Sequence, residues 1–332
     1  MLHRCGVRSI QLTTLSEFAL FLALVLPGTA GQSVNVAPAD GVALLQAHHP
    51  DEARSAFEEA LKANPSDAAT QAGEVAASEQ LALQARAAGH WNDALQTLLR
   101  AQKYAPQSAR LLYDLGILED EMKLFLDADK SLAEADRLQP RDAKTLYAIG
   151  RVKLDLGQIT AAEEKMKAYL SLHPENASAH FGLGRVYQIG LQPEKAKAEF
   201  LKSIELKPAQ TESYFELGDL ALKDGDYDEA IAKFAKTLER NPKHGGALEG
   251  TGETYFKKKD FEKAEDFLKR AIAVAPDYSP SHYYLGLTLN KLGRRSEAEK
   301  ELSAAEKLAN ADNVAAPHRS EPQGSPTATP QR

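Results

Sequence analysis

The chain has 332 residues and a formal net charge of −7 at pH 7, with 43% hydrophobic and 26% charged residues. This composition is typical of a folded protein rather than a disordered one, and the length allows a large structure. The negative charge disfavours nucleic acid as a partner, because binding to phosphates depends largely on Lys and Arg.

The segment 1–30 has the layout of a secretory signal. Basic side chains at Arg4 and Arg8 precede an apolar run from Phe18 to Leu26, and small residues then surround Ala30. The run is shorter than the roughly 20 apolar residues that span a bilayer, so cleavage near Ala30 is preferred over an uncleaved membrane anchor. We therefore predict an exported protein, periplasmic or secreted, that contacts a membrane only if the signal stays uncleaved.

The only cysteine, Cys5, lies within this predicted signal. The mature chain would then have no thiol for a disulfide, a metal site or a nucleophile. Its stability must come from helix packing alone.

A predicted linker over residues 31–37 is followed by a degenerate first helical unit. Its first helix is short, over residues 38–48, whereas residues 51–65 make a convincing second helix. The next helix is predicted over residues 66–88, because the step from Pro65 to Pro106 is seven residues longer than the steps that follow. Seven residues are about two helical turns. We expect this helix to be extended at its N-terminal end, capped by Ser66 or Asp67, and to project beyond its neighbours.

From there the sequence repeats with a constant period of about 34 residues. The residues that keep this period are Pro106, Pro140, Pro174, Pro208, Pro242 and Pro276; Gly116, Gly150, Gly184, Gly218, Gly252 and Gly286; Ala94, Ala128, Ala162, Ala196, Ala230, Ala264 and Ala298; and Leu98, Leu132, Met166, Phe200, Phe234, Leu268 and Leu302. Glycine inside a helix costs about 1 kcal/mol relative to alanine, so its repetition indicates close approach of paired helices.

Each unit is predicted to form two amphipathic helices joined by a tight turn, as residues 211–242 illustrate. Apolar residues recur at helical spacing in both halves, Asp224-Gly225-Asp226 supplies the turn, and Asn241-Pro242 stops the second helix. One such hairpin cannot bury its own apolar faces, so the units must stack.

These residue series resemble those of the tetratricopeptide repeat family over residues 38–309. The resemblance implies an all-α, right-handed α-solenoid of about eight helix-turn-helix repeats, without sheet. It also implies a concave face, lined by the first helices, that receives a peptide or an extended segment of a partner.

Residues 310–332 are predicted to form a disordered tail. Pro317, Pro322, Pro326 and Pro330 lie there among Ser, Thr, Gln and Ala. Too little apolar surface is present to offset the entropy of ordering.

Motifs for catalysis, cofactors or metals find little support. Gly182-Leu-Gly184 and Gly250-Thr-Gly252 lack the third glycine and the preceding strand of a dinucleotide site, so we interpret them as helix-packing residues. His180 and His282 occupy a position that holds packing residues in other units. Asn176-Ala177-Ser178 fits a glycosylation sequon in a loop. We predict no catalytic residue, no cofactor and no metal.

The candidate partner-binding residues occupy the inward-pointing positions that the resemblance implies. They form an aromatic ladder, interrupted by Glu249, of Tyr113, Tyr147, Phe181, Phe215 and Tyr283. The charged candidates are Arg110, Lys144, Arg151, Arg185, Asp219 and Glu253. The groove is thus predicted to be basic in its earlier half and acidic in its later half, which would orient the acidic part of a ligand toward repeats three to five and its basic part toward repeats six and seven. The alternative is that the aromatics serve packing and the charges are solvated surface.

We therefore predict a non-catalytic exported adaptor or scaffold that binds protein or peptide partners through the concave face, for example in a bacterial periplasm or cell envelope. One alternative is a self-associating structural component of an envelope assembly. Another is an enzyme acting on envelope polymers with the groove as its active site, although no convergent acid, base and nucleophile are visible.

Overall fold

The computed structural model describes residues 36–315, which form sixteen α-helices and no β-strand. The first helices of the hairpins are α1 (Val36–Gln46), α3 (Ala68–Ala87), α5 (Ala109–Glu121), α7 (Ala143–Asp155), α9 (Ala177–Ile189), α11 (Thr211–Asp224), α13 (Gly245–Lys257) and α15 (Ser279–Lys291). The second helices are α2 (Pro50–Ala63), α4 (Trp91–Tyr104), α6 (Phe125–Leu138), α8 (Ile159–Leu172), α10 (Pro193–Leu206), α12 (Tyr227–Arg240), α14 (Phe261–Val274) and α16 (Arg295–Ala315). Each helix packs on the next in sequence, which confirms the predicted all-α solenoid of eight stacked hairpins.

Each hairpin turns through one residue with a positive φ angle. At four turns this residue is glycine, and Gly225 has a φ of 80° in the turn predicted at residues 224–226. The other four turns use residues with a side chain, for which this backbone conformation is unfavourable; they are His48, Lys123, Leu191 and Lys259. The amide of Glu229 then donates to Asp226 Oδ1 at 3.1 Å, so that Asp226 caps α12.

On three of the second helices a large side chain fits between glycines of two first helices; these side chains are Phe57, Met166 and Phe234. Phe234 of α12 is buried, and a Cβ atom built on Gly218 of α11 or on Gly250 of α13 would lie 2.6 Å from its ring. The same close approach to a bulky residue of the second helix recurs at Gly116, Gly150, Gly184, Gly252 and Gly286. At Gly150 the nearest atom of Met166 would be 3.0 Å away, and at the other positions the distance is shorter than real Cβ atoms show. These glycines therefore allow the close packing of the hairpins.

The predicted long helix is α3, whose 20 residues compare with 13 in α5. Asp67 is its N-cap, since the amide of Thr70 donates to Asp67 Oδ2 at 2.8 Å. The added turns do not project freely as expected, because Thr70, Glu74 and Val75 are buried. The reason is that the N-terminal half of α3 packs on α2, so the extension carries the contact with the first repeat.

The ends of the array also differ from the predicted boundaries. α1 begins at Val36, inside the predicted linker, and α16 continues to Ala315, inside the predicted tail. No helix-breaking residue occurs in α16, and Pro317 is the first that disfavours helix in the residue before it. The predicted signal and the remainder of the linker and tail lie outside the described residues. Among the helices of residues 36–315, none is both long and apolar enough to cross a membrane.

We expect Phe234→Ala to lower the free energy of unfolding by about 3–5 kcal/mol, because it empties a closely packed contact between two repeats. Urea unfolding measures this loss, and hydrogen exchange should place it mainly in α11–α13, since a solenoid is stabilised locally. Leu126→Ala is the matched control, because Leu126 of α6 is 68% exposed, and its effect should stay below about 0.5 kcal/mol. Equal losses in the two variants would contradict this packing role.

Candidate functional site: the concave face

The first helices line the inner side of the solenoid. First helices of successive repeats contact one another, as α5 does with α7 and α11 with α13. Within residues 36–315, second helices of successive repeats make no contact of similar extent. The first helices therefore follow the shorter path and form the concave face.

The predicted aromatic ladder lies on these helices, but its rings are shared between the groove and the core. Four of its five members are half-buried, and three of them pack on an aromatic ring of their own repeat's second helix. The centroid distances are 5.2 Å for Tyr147 and Tyr169, 5.8 Å for Phe181 and Phe200, and 6.0 Å for Phe215 and Phe234. Tyr283 differs, since 47% of it is exposed. Tyr283 is therefore the ladder residue most available to a ligand.

Ion pairs between repeats reduce the positive charge predicted for the earlier half of the groove. Arg151 Nη2 lies 3.0 Å from Asp120 Oδ2, and Arg110 pairs with Glu79. Each acid lies on the first helix of the repeat before its arginine, and the sequence analysis missed both acids. Two of the predicted basic residues form no ion pair within residues 36–315, although their charges act on Asp114 and Glu216; they are Lys144 and Arg185. The groove is therefore mixed in charge here, and its available cations are concentrated in repeats four and five.

The later half of the groove carries several carboxylates, and most of them already have partners. Lys223 Nζ lies 2.5 Å from Asp219 Oδ2, Tyr284 Oη donates to Glu253 Oε1 at 2.7 Å, and Gln188 Nε2 donates to Glu216 Oε2 at 2.9 Å. Glu249, on α13, has no hydrogen bond or ion pair recorded within residues 36–315. Burial raises the pKa of Glu249 to about 8, and the charges of Glu253 and Asp219 act in the same direction. Glu249 is therefore mostly protonated at pH 7.

Two further carboxyl groups, those of Glu79 and Asp114, lie on the first helices of repeats two and three. Burial raises the pKa of both Glu79 and Asp114, and the negative charge of Asp114 raises that of Glu79 further. Arg110 opposes these shifts through its positive charge. The pair is therefore expected to retain a proton, because two buried carboxylates in contact repel each other.

The two histidines singled out in the sequence have equivalent structural roles. His180 Nδ1 lies 2.6 Å from Glu199 Oε2, and its Nε2 lies 2.9 Å from the carbonyl oxygen of Pro174. His282 makes the same two contacts three repeats later. Each histidine thus ties a first helix to its second helix and to the preceding loop. No group of three or more His, Cys, Asp or Glu residues that could hold a metal occurs within residues 36–315.

Two further sequence motifs are also used in folding. Asn176 is the N-cap of α9, and its Nδ2 atom donates to Tyr169 Oη at 2.8 Å, a contact that competes with a glycan on the same nitrogen. The glycine pairs at residues 182–184 and 250–252 lie inside α9 and α13 and pack against side chains of second helices. These motifs therefore contribute to packing and capping.

Comparison with protein families agrees with this geometry. A tetratricopeptide repeat model matches residues 39–84, 147–211 and 215–280, and a second model of the same repeat matches residues 255–316. The chain belongs to the tetratricopeptide repeat family. Membership of this family, together with the stacked hairpins and their concave face, supports a protein-interaction adaptor.

Solved structures share the tetratricopeptide repeat fold at low sequence identity. A tetratricopeptide repeat protein from Parabacteroides merdae is 18% identical, with 72% of this chain and 95% of that chain covered and a TM-score of 0.60. A chain of the APC/C hetero-tetramer Cut9–Hcn1 is 15% identical, with 84% of this chain and 53% of that chain covered and a TM-score of 0.60. YrrB, described as a tetratricopeptide repeat protein with an unusual peptide-binding site, is 26% identical. The match covers 55% of this chain and 95% of that chain, with a TM-score of 0.45. No curated protein sequence matches the chain.

We expect Glu249→Gln to stabilise the protein at pH 9 and to leave its stability nearly unchanged at about pH 4. The raised pKa of Glu249 means that the native protein loses stability as the pH rises from about 4.5 to about 8, and glutamine removes this loss. Urea unfolding of both proteins across this range measures the difference. The control is Glu262→Gln on the exposed side of α14, for which the difference should not change with pH. If the difference in unfolding free energy between Glu249→Gln and the wild type did not change with pH, the raised pKa of Glu249 would be contradicted.

Proposed function

We propose that this tetratricopeptide repeat protein is an exported, non-catalytic adaptor that binds an extended segment of a partner protein along its concave face. Family membership and the fold support protein binding rather than catalysis. The basic and apolar pattern of residues 1–30 supports export to a periplasm or to the medium, with removal of the signal near Ala30. The partner segment is proposed to be a peptide, with no nucleic acid, metal or cofactor involved.

The observation that carries this proposal is that a half-buried carboxyl group, with no ion pair within residues 36–315, and an exposed aromatic ring occupy the same position in successive repeats of the later half of the groove. Glu249 takes the position that aromatic residues hold in the neighbouring repeats, with Phe215 one repeat before it and the exposed Tyr283 one repeat after it. A guanidinium or ammonium group can pair with a carboxylate and also lie on an aromatic face. This part of the groove therefore suits a basic side chain of the ligand.

Charge complementarity also proposes a direction for the bound peptide. Lys144 and Arg185, in repeats four and five, would receive acidic groups, while Glu249 in repeat seven would receive a basic group. Repeats four and seven are separated by three repeat spacings, so the ligand is proposed to be extended. Such complementarity fixes register and orientation more than it adds affinity.

We expect peptides selected from a random displayed library on the full chain to carry Arg or Lys beside an apolar residue. The double variant Glu249→Gln with Tyr283→Ala should weaken binding of a selected synthetic peptide at least tenfold, which is about 1.4 kcal/mol. Fluorescence anisotropy measures this change. Tyr283 is chosen because it is the exposed member of the ladder, whereas the other rings also stabilise the core.

Lys236→Ala on α12 is the matched control, because Lys236 is exposed on a second helix. It should leave the affinity unchanged, while Lys144→Ala with Arg185→Ala should weaken only peptides that carry an acidic end. Equal affinity of all folded variants for the selected peptides would overturn the concave-face proposal.

Export has its own test. Fusion of residues 1–30 to a reporter enzyme that is active only outside the cytoplasm should give activity in a bacterial host, because the basic and apolar segments direct translocation. Mass spectrometry of the exported full chain should find its new N-terminus near Ala30. Replacing Arg4 and Arg8 by Glu should reduce export, and a fusion that stays inactive would contradict the proposed localisation.

A further inference from the structure

The first hairpin is joined to the rest of the array by the same kind of glycine contact that Phe234 makes, together with a group of buried polar side chains. Phe57 of α2 lies between two glycines, since a Cβ atom on Gly41 of α1 or on Gly73 of α3 would be 2.6 Å or 2.5 Å from its ring. Its buried apolar neighbours are Ala53 and Ala77. Further along α3, Ala82 belongs to a different core cluster, which continues into α4 and α5. Val75, which precedes Ala77, also belongs to this second cluster, so the two cores meet side by side on α3.

A polar cluster lies along this contact, which we call the α2–α3 seam (Arg54, Glu58, Glu74, Ser78 and Arg100). Glu58, Glu74 and Ser78 are buried, whereas Arg100 is exposed. Glu74 and Ser78 are fully buried, and Ser78 Oγ donates to Glu74 Oε1 at 3.1 Å. Glu58 is paired with Arg100 of α4. Glu74 Oε2, Glu58 Oε1 and Arg54 Nε are buried and have no hydrogen-bond partner within the described residues. Several buried polar atoms of the seam therefore have no hydrogen-bond partner within the described residues, and this destabilises the contact between the helices.

The charge state of Glu74 determines how strongly its burial destabilises the contact between α2 and α3. Burial raises the pKa of Glu74 to about 7, and the negative charge of Glu58 acts in the same direction. The hydrogen bond from Ser78 and the positive charges of Arg54 and Arg100 oppose the shift. α1 contributes one charged residue to its surroundings, the exposed Asp40. Glu74 is therefore buried as a neutral acid in mildly acidic solution and as an ion in alkaline solution.

We propose that the α2–α3 seam is a pH-sensitive joint, in which the α1–α2 hairpin is docked on α3 while Glu74 is protonated and is released increasingly often as the pH rises toward neutrality. In the released state Glu74 is hydrated and ionises as an ordinary glutamate. The raised pKa in the docked state means that docking is strongest below about 4.5 and weakens until about 7. Release uncovers Phe57 and the α3 face around Ala77 at the N-terminal end of the solenoid. This regulation of the array's end is separate from the proposed groove function.

Hydrogen exchange of the full chain between pH 5 and pH 8, corrected for the intrinsic rate at each pH, tests this joint. For amides of α1 and α2 the opening constant should rise roughly fifty-fold between pH 5 and pH 7.5, as a pKa change from 4.5 to about 7 requires. Glu74→Gln should remove most of this rise, because glutamine stays neutral. Circular dichroism of the variant would check that its helices are retained.

Glu79→Gln is the matched control, since Glu79 is on the same helix but faces α5 through Arg110. This variant should keep the rise in α1 and α2. An opening constant that does not change with pH in the wild-type protein would overturn the proposal without any variant. An equal rise in wild type and in folded Glu74→Gln would also overturn it, and would indicate general loosening of the array.

Discussion

The contact between one large side chain and the small residues on either side of it sets the spacing of this solenoid. Phe234 illustrates it, with Gly218 of its own repeat and Gly250 of the next repeat at distances that exclude a Cβ atom. Each such contact joins helices within a repeat and also joins that repeat to the next one. Because buried residues form several separate clusters along the chain, stability is local and adjacent repeats support each other.

This stacking also determines what the concave face can present. Residues at one position of successive first helices form a row, and the packing that aligns them also draws Tyr147, Phe181 and Phe215 partly into the core. Ion pairs between neighbouring repeats likewise neutralise Arg151. The side chains that this packing leaves open to the groove are the ones that a ligand could contact. Glu249 departs from the aromatic pattern of its row, and Tyr283 is the ladder residue that stays exposed.

The sequence was sufficient to predict the repeat, the two helices of each unit and several local details. The constant spacing of the repeated residues, the turn at Gly225 and the cap at Asp67 follow from local residue preferences, which the sequence displays directly. The C-terminal end of the array was predicted too early in the sequence. Residues 310–315 contain no helix-breaking residue, and they continue the helix α16. Pairings such as Asp120 with Arg151 depend on the rotation between repeats, and the burial of α3's added turns depends on how α2 meets it. Neither the rotation between repeats nor the packing of α2 on α3 can be derived from the spacing of the repeated residues.

The central claim is that a basic side chain of a peptide lies beside Glu249 in the concave groove. The most direct measurement is a double-mutant cycle between Glu249→Gln and replacement of the peptide's arginine by norleucine, with affinities measured by calorimetry. A direct contact predicts a coupling energy of at least about 1 kcal/mol. Because cation binding favours ionised Glu249, it also predicts proton release on binding at pH 7 that disappears in Glu249→Gln. A coupling energy near zero, with binding retained and no proton release, would contradict the account.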